Sequence, residues 1–202
     1  MRKTSKNNLI IMFMVFILTG ESFALDLKDV QKRYSEHKDF EATFGQHTFQ
    51  ALVNKEVDFT GKVSYKRPDC VRMDVYTPQR QIIILKGTNV TVSLPAEGTL
   101  AVQEVPKEIA TQNILAFING LTSLDKDYNV KQEKDHLVLT PKNGIGTINI
   151  WVDEDNLVKR IQVQDAIGNK SDIRLKQYTF DLGLKDDLFK LPLADTNAKP
   201  MP

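Results

Sequence analysis

The sequence predicts a mainly β protein of the α+β class, built on one antiparallel sheet that curls into a half-closed barrel. About ten short segments alternate apolar and polar residues, which is typical of antiparallel strands with one solvated face. Two other segments carry apolar residues at helical spacing. Open twisted sheets of about ten strands rarely stay flat, so the sheet should curl. The two helices should then cover its concave, apolar side.

The start of the chain has the pattern of an export signal. Basic residues precede an unbroken apolar run of ten residues at 9–18, and Ser22-Phe23-Ala24 supplies small residues at the −3 and −1 positions of a cleavage site. Ten apolar residues are too few to cross a hydrocarbon core, which needs about 20. We therefore expect residues 1–24 to be a cleavable signal peptide and residues 25–202 to form a single domain outside the cytoplasm.

Charge and cysteine content narrow the class of partner. Cleavage would remove three basic residues and one acidic residue from totals of 27 and 26, which leaves 24 and 25 and a net charge near −1. No basic stripe indicates binding to nucleic acid or to an anionic membrane. Cys70 is the only cysteine, so an intramolecular disulfide is excluded. We expect a monomer that does not bind nucleic acid.

The first helix is predicted at 27–37, because Leu27, Val30 and Tyr34 recur at i, i+3 and i+7 among charged residues. After it the hydrophobic period changes to two, and glycine-bearing turns such as those at Gly87 and Gly98 suit hairpins. The predicted strands are 40–44, 57–66, 71–76, 81–85, 90–94, 99–105, 128–133, 136–140, 146–152, 157–165 and 171–180.

A second helix is predicted to start near Pro106 and to end near Leu121. Its apolar stripe is formed by four residues at i, i+3, i+4 and i+7, namely Ile114, Phe117, Ile118 and Leu121. Such a stripe could simply close a solid core, or it could belong to a removable lid above an apolar cavity. The residues of the helix leave both interpretations open.

The sequence offers little for catalysis. His37, His47 and His136 lie on unrelated segments without metal-ligand spacing. There is no serine nucleophile elbow, no phosphate-binding glycine loop and no cysteine–histidine motif. The acidic run 153–155 lacks the spacing of a calcium loop and is interpreted as a hairpin turn. We expect no enzymatic activity, no cofactor and no metal.

Arg67 is an unusual residue for its place in the pattern. By strand parity it continues the face of Phe59, Val63 and Tyr65, and a guanidinium on an apolar face needs acceptors. Carbonyl groups at the C-terminal end of a helix are suitable, since that end also favours a cation. The alternative is an arginine at the solvated end of a strand, and parity does not separate the two.

The segment Gly61-Lys62-Val63-Ser64-Tyr65-Lys66-Arg67-Pro68, followed by Tyr76-Thr77-Pro78, resembles the periplasmic outer-membrane lipoprotein carrier family of the LolA type. The Lys-Arg-Pro stretch is the most specific part of the resemblance, which extends over nearly the whole exported chain. Further matching segments occur in the family's order: Phe40-Glu41-Ala42-Thr43-Phe44-Gly45-Gln46, Leu139-Thr140-Pro141-Lys142, Asp165-Ala166-Ile167-Gly168-Asn169 and Phe189-Lys190-Leu191-Pro192.

The resemblance implies an unclosed antiparallel β-barrel, lined with apolar side chains and covered by helices that form a lid. Arg67 stands where the family has an arginine that latches the lid to the barrel. The family takes acylated lipoproteins from an inner-membrane ATP-driven exporter and delivers them to an outer-membrane receptor. The expected lining of the cargo cavity combines the apolar strand faces with the lid stripe: Phe59, Val63, Tyr65, Val71, Met73, Val75, Ile114, Phe117, Ile118 and Leu121.

Two features depart from the family pattern. The central strands carry Val71 and Met73 where the family often has bulky aromatic residues, and the only tryptophan is Trp151. The strand after Gly87 is also free of aromatic residues. A same-fold periplasmic lipid-binding or sensor protein that does not deliver lipoproteins is therefore the alternative function.

Overall fold

A computed structural model describes residues 25–104, 121, 124–142, 146–165, 167–191 and 199–200. The predicted signal peptide lies outside these residues, as does the predicted second helix apart from Leu121. Within the described part of the chain, every helix is too short or too polar to span a bilayer.

The first helix, α1, spans Leu27–Ser35 and ends two residues before the predicted boundary. Asp26 caps its N-terminus: the Asp26 carboxylate accepts a hydrogen bond from the backbone N–H of Lys28 at 2.9 Å. Leu27, Val30 and Tyr34 are buried, so the predicted apolar face of this helix is confirmed.

Eleven antiparallel strands form one sheet, which confirms the predicted fold class. The two-residue β12 pairs in parallel with β6 at one edge, and β7 forms the other edge. Among the described residues these two edges do not pair, so the sheet is not closed into a barrel. The strands are β1 Asp39–Gln50, β2 Lys55–Lys66, β3 Cys70–Thr77, β4 Gln81–Lys86, β5 Asn89–Leu94, β6 Thr99–Glu104, β7 Tyr128–Glu133, β8 His136–Pro141, β9 Thr147–Val152, β10 Val158–Gln164, β11 Lys170–Phe180 and β12 Lys199–Pro200.

The strands run in the spatial order β12-β6-β5-β4-β3-β2-β1-β11-β10-β9-β8-β7. Each neighbouring antiparallel pair is sequential in the chain, except that β1 and β11 meet at the middle of the sheet. The remaining described elements are short: the helix α2 at Leu124–Asp127 and 3-10 turns at Ala51–Val53, Pro95–Glu97 and Asp186–Phe189.

The main hydrophobic core lies on one side of the sheet, which we call the covered face. Strand register places Ala42, Val63, Met73 and Ile83 side by side across β1 to β4, and α1 packs against this side. A smaller cluster on the opposite side joins Ile82, Ile84 and Phe189. We call that side the outer face.

Candidate functional site

The structure brings most of the predicted lining residues together on the covered face. Val63 lies opposite Met73, and Tyr65 lies opposite Val71. These residues and Val75 are between 0% and 4% exposed. The five therefore form one continuous apolar surface at the centre of the sheet.

The other predicted lining residues are placed less uniformly. Phe59 is half-buried and packs at the margin of the core. Leu121 is buried and belongs to the same cluster as Met73. Ile114, Phe117 and Ile118 lie outside the described residues.

Two lining residues, Ile83 and Leu85, were not predicted from the sequence because the run at 82–85 is apolar throughout. A run without alternation does not show which side chains share a face. The register resolves this: Ile83 lies opposite Met73, and Leu85 lies between Val71 and Val90. The apolar surface of the covered face therefore continues from β3 onto β4 and β5.

On the covered face Val71 and Met73 are nearly inaccessible to water, whereas Ile83 on the same face is half-buried. A groove of about 560 Å³ lies elsewhere, and its walls are mostly polar side chains of the outer face. That groove is not the predicted apolar hollow. A cavity beneath the second helix stays a prediction.

A buried hydrogen-bond relay holds α1 against the far half of the sheet. The Tyr34 hydroxyl donates to the Tyr178 hydroxyl at 3.1 Å, and the Tyr178 hydroxyl donates to the Val158 carbonyl at 2.8 Å. The backbone N–H of Val158 donates to the Tyr34 oxygen at 3.0 Å. Burial raises the pKa of Tyr34 to about 12 and raises that of Tyr178 well above the ordinary value of 10.

The relay predicts a loss of stability in alkali. A tyrosine whose pKa is raised by folding contributes stability that is complete below pH 10 and is lost as the pH rises to about 12. Two pH units correspond to about 3 kcal/mol in the free energy of unfolding. Denaturant titrations at several pH values between 8 and 12 should show this decline.

The Tyr34→Phe, Tyr178→Phe double variant should start less stable and then decline less between pH 10 and pH 12. Tyr76→Phe is the matched control, because Tyr76 is 56% exposed. An equal alkaline decline in the double variant and in the wild-type protein would contradict the assignment to this pair.

Arg67 joins the sheet to the C-terminal end of α1. Its guanidinium is exposed, yet Nη1 donates to the carbonyl of Ser35, the last residue of the helix, at 2.7 Å. Its backbone N–H donates to the Lys38 carbonyl at 3.0 Å. Arg67 therefore lies at the solvated end of its strand and also binds a helix-end carbonyl, so the two alternatives are not exclusive. The helix it contacts in the described structure is α1.

A second set of contacts fixes the same end of α1. Arg33 donates to Nε2 of His37 at 2.9 Å, and because a guanidinium can only donate, Nδ1 of His37 donates to Asp181 at 2.7 Å. The bond from His37 lowers the pKa of the Asp181 carboxyl. The Arg33 guanidinium also stacks over the Phe180 ring at 4.9 Å.

The polar residues considered for catalysis are dispersed in the structure. His47 pairs with Asp58 at 2.8 Å, and His136 stacks on Trp151. Asp153 accepts backbone hydrogen bonds from two residues of its own loop, so the predicted hairpin turn is confirmed. Nowhere in the described residues do three His, Cys, Asp or Glu side chains converge as a metal site.

Comparisons with known proteins agree with the resemblance. Residues 35–192 match a family model described as "Outer membrane lipoprotein carrier protein LolA". A protein named outer-membrane lipoprotein carrier protein from Actinobacillus pleuropneumoniae is 28% identical over 200 residues, covering 94% of this chain and 91% of the relative. A protein of the same name from Haemophilus ducreyi is 26% identical over 196 residues, with the same coverage of 94% and 91%.

Solved structures support the fold. A LolA superfamily protein from Nitrosomonas europaea superposes with a TM-score of 0.50 at 16% identity, covering 83% of this chain and 99% of that chain. An uncharacterized conserved protein from Thermus thermophilus superposes with a TM-score of 0.54 at 12% identity, covering 87% and 95%. At these identities the likeness concerns the architecture alone.

Proposed function

Since this chain belongs to the outer-membrane lipoprotein carrier (LolA) family, we propose that it is a periplasmic carrier that shields the acyl chains of lipoproteins and shuttles them to the outer membrane. The observation that carries this is the apolar surface of Val63, Tyr65, Val71, Met73 and Val75 inside an unclosed sheet. The donor would be an inner-membrane ATP-driven exporter and the acceptor an outer-membrane receptor. Residues 1–24 would be removed on export, which leaves residues 25–202 as one carrier domain.

The physical task of such a carrier is to keep hydrocarbon dry. Each buried methylene is worth about 0.8 kcal/mol, so an acyl chain of ordinary length costs on the order of 10 kcal/mol to expose to water. Apolar side chains offset that cost without directional bonds, which suits cargo of variable structure. Met73 is flexible and polarizable enough to adapt to different chains. No bond in the cargo is broken, so the task requires no catalytic group.

Loading requires the covered face to open. We call α1 and the helix predicted at 106–121 together the cover. In the proposed cycle, acyl chains displace the helix predicted at 106–121, and the contacts of Arg67 with α1 break as the cover moves. Closure buries the apolar face of the empty carrier, whereas cargo buries it in the loaded carrier. The two states can therefore be close in free energy, so that handover to the receptor lets the cover close again.

Replacing Arg67 with leucine tests the latch. The variant loses a hydrogen bond made by an exposed charged group, which is worth about 1 kcal/mol, so the open state should gain roughly fivefold in population. We expect several-fold slower release of a bound acylated lipopeptide to acceptor vesicles, with an unchanged β-sheet circular-dichroism spectrum.

Arg67→Lys is the matched control, because it keeps the charge but loses the planar fork. Its release rate should lie between those of the wild-type protein and Arg67→Leu. An unchanged transfer rate in Arg67→Leu would show that the contact with Ser35 has no role in release.

The second candidate is a protein of the same fold that binds another lipid or senses it without delivery. It is favoured by the aliphatic residues Val71 and Met73 at positions where the family often has bulky aromatic side chains. Mass spectrometry of material that co-purifies with the protein from its host separates the candidates. Bound lipoprotein supports the carrier, and free lipid alone supports the second candidate. An empty protein supports a sensor.

A further inference from the structure

Two neighbouring turns at one end of the sheet expose large aliphatic side chains. Leu52 and Val53, between β1 and β2, are 81% and 66% exposed, and Ile167, between β10 and β11, is 58% exposed. Turns on a protein surface usually carry polar residues, because they face water. We call these three side chains the apolar tip.

The two turns that carry the apolar tip are bonded to each other. The backbone N–H of Ala51 donates to Oδ1 of Asn169 at 2.9 Å. Asn169 is itself held by Asp165, which accepts from its backbone N–H at 2.9 Å and from its side-chain amide at 2.7 Å. A side chain at Gly168 would touch Ala51, so the turns also approach closely. The apolar tip is therefore presented by a fixed pair of loops.

The charges beside the apolar tip are of both signs, and two lysines lie next to its turns. Lys55 and Lys170 are exposed, directly follow the two turns, and have no ion-pair partner among the described residues. The carboxylate of Asp165 accepts the hydrogen bonds of its own loop, whereas the carboxylate of Glu56 is exposed, 4.0 Å from Nε2 of His47. Two free ammonium groups thus flank three exposed aliphatic side chains.

The size and shape of the tip favour a lipid surface over a protein partner. A stable protein interface buries about 800 Å² on each side, far more than three side chains on two turns can supply. A bilayer accepts a small protruding apolar tip, and its anionic headgroups attract neighbouring lysines.

We propose that the apolar tip, with Lys55 and Lys170, docks weakly and reversibly on bilayers that contain anionic lipid. This docking does not require a basic stripe, because insertion of the apolar tip supplies most of the attraction and only two lysines assist. Docking itself does not require cargo, although its use in delivery rests on the proposed function. The tip lies at the opposite end of β2 from Arg67, about 35–40 Å away along the strand.

Flotation of the purified protein with vesicles of phosphatidylethanolamine and phosphatidylglycerol tests the docking. We expect measurable partitioning that falls at least tenfold in the Leu52→Asp, Ile167→Asp double variant. Lys55→Gln and Lys170→Gln should each reduce it by up to about fivefold, and the reduction should be smaller in high salt. Val102→Asp is the matched control, since Val102 is an aliphatic residue on β6 with 67% exposure.

Three outcomes would overturn the docking: no flotation of the wild-type protein, full flotation of the double variant, or an equal loss in Val102→Asp. Self-association that depends on Leu52 in analytical ultracentrifugation would instead assign the tip to a second copy of the chain. Capture of a lipopeptide in vesicle-free solution is measured on the same proteins. Failure of the wild-type protein to capture the lipopeptide would reject the carrier function. Normal capture by the double variant would show that docking and capture are separate.

Discussion

Replacing Gly61 with alanine should lower the free energy of unfolding by about 3 kcal/mol, whereas the same change at Gly45 should alter it little. Gly61 is buried in β2, opposite Phe44 on β1 and Val75 on β3. A Cβ atom there would overlap the backbone oxygen of Asp74 and lie 2.7 Å from the Phe44 ring. The oxygen belongs to a paired strand and cannot yield without breaking the sheet.

Gly45 is the matched control, because it lies on the neighbouring strand and a Cβ atom there meets nothing within 4 Å. Chemical denaturation of both variants, followed by circular dichroism, measures the difference. Equal stability of the two variants would mean that β2 and β3 are not as closely apposed as the structure describes. A large loss of stability in Gly61→Ala would support the close contact of β2 with β3 in the part of the sheet that carries the apolar surface.

Alternation of apolar and polar residues predicted most of the sheet, because each strand has one buried and one solvated face. The strand at Tyr128–Glu133 was predicted with its observed bounds, and the others differ mainly at their ends. The length of β1 was underestimated. This strand was predicted to end at residue 44 but continues to Gln50, although its second half lacks strong alternation. The close pairing of that half with β2 and β11 supplies what the local pattern does not.

The candidate site was predicted where a side chain's face follows from local parity, as for Val71 and Met73. Parity failed at Ile83, because its neighbours at 82 and 84 are also apolar and only the register with β3 assigns the sides. The partner of Arg67 could be named as a helix-end carbonyl, but the choice of α1 depends on contacts between distant segments. The relay of Tyr34 with Tyr178 joins residues 144 positions apart and has no local signal.

The attachments of α1 differ in strength at its two sides. The tyrosine relay is buried and joins α1 to β10 and β11, whereas the contact of Arg67 with Ser35 is exposed to water. A buried hydrogen bond is costly to break without a replacement, but an exposed one exchanges readily with water. If the cover moves as proposed, the Arg67 side should open first, and α1 should remain attached to the far half of the sheet.

Replacing Ile83 with aspartate should reduce capture of an acylated lipopeptide at least tenfold. Ile83 lies beside Met73 on the covered face but is only half-buried, so a carboxylate there can remain hydrated in the empty protein. An acyl chain on the same surface would strip water from that carboxylate, at a cost of several kcal/mol that no partner offsets. Capture is measured by fluorescence of a labelled lipopeptide in detergent-free buffer, after the unfolding midpoint of each variant has been determined.

Two controls separate this effect from general damage to the fold. Ile83→Val keeps the surface apolar and should retain capture within about twofold. Tyr76→Asp places the same charge on β3 at a residue that is 56% exposed and, by strand parity, points to the outer face, so capture should be unaffected. Because the register carries the apolar surface from β3 onto β4, a chain that occupies Met73 must also contact position 83. Undiminished capture by a folded Ile83→Asp variant would therefore place the acyl chains somewhere other than the covered face.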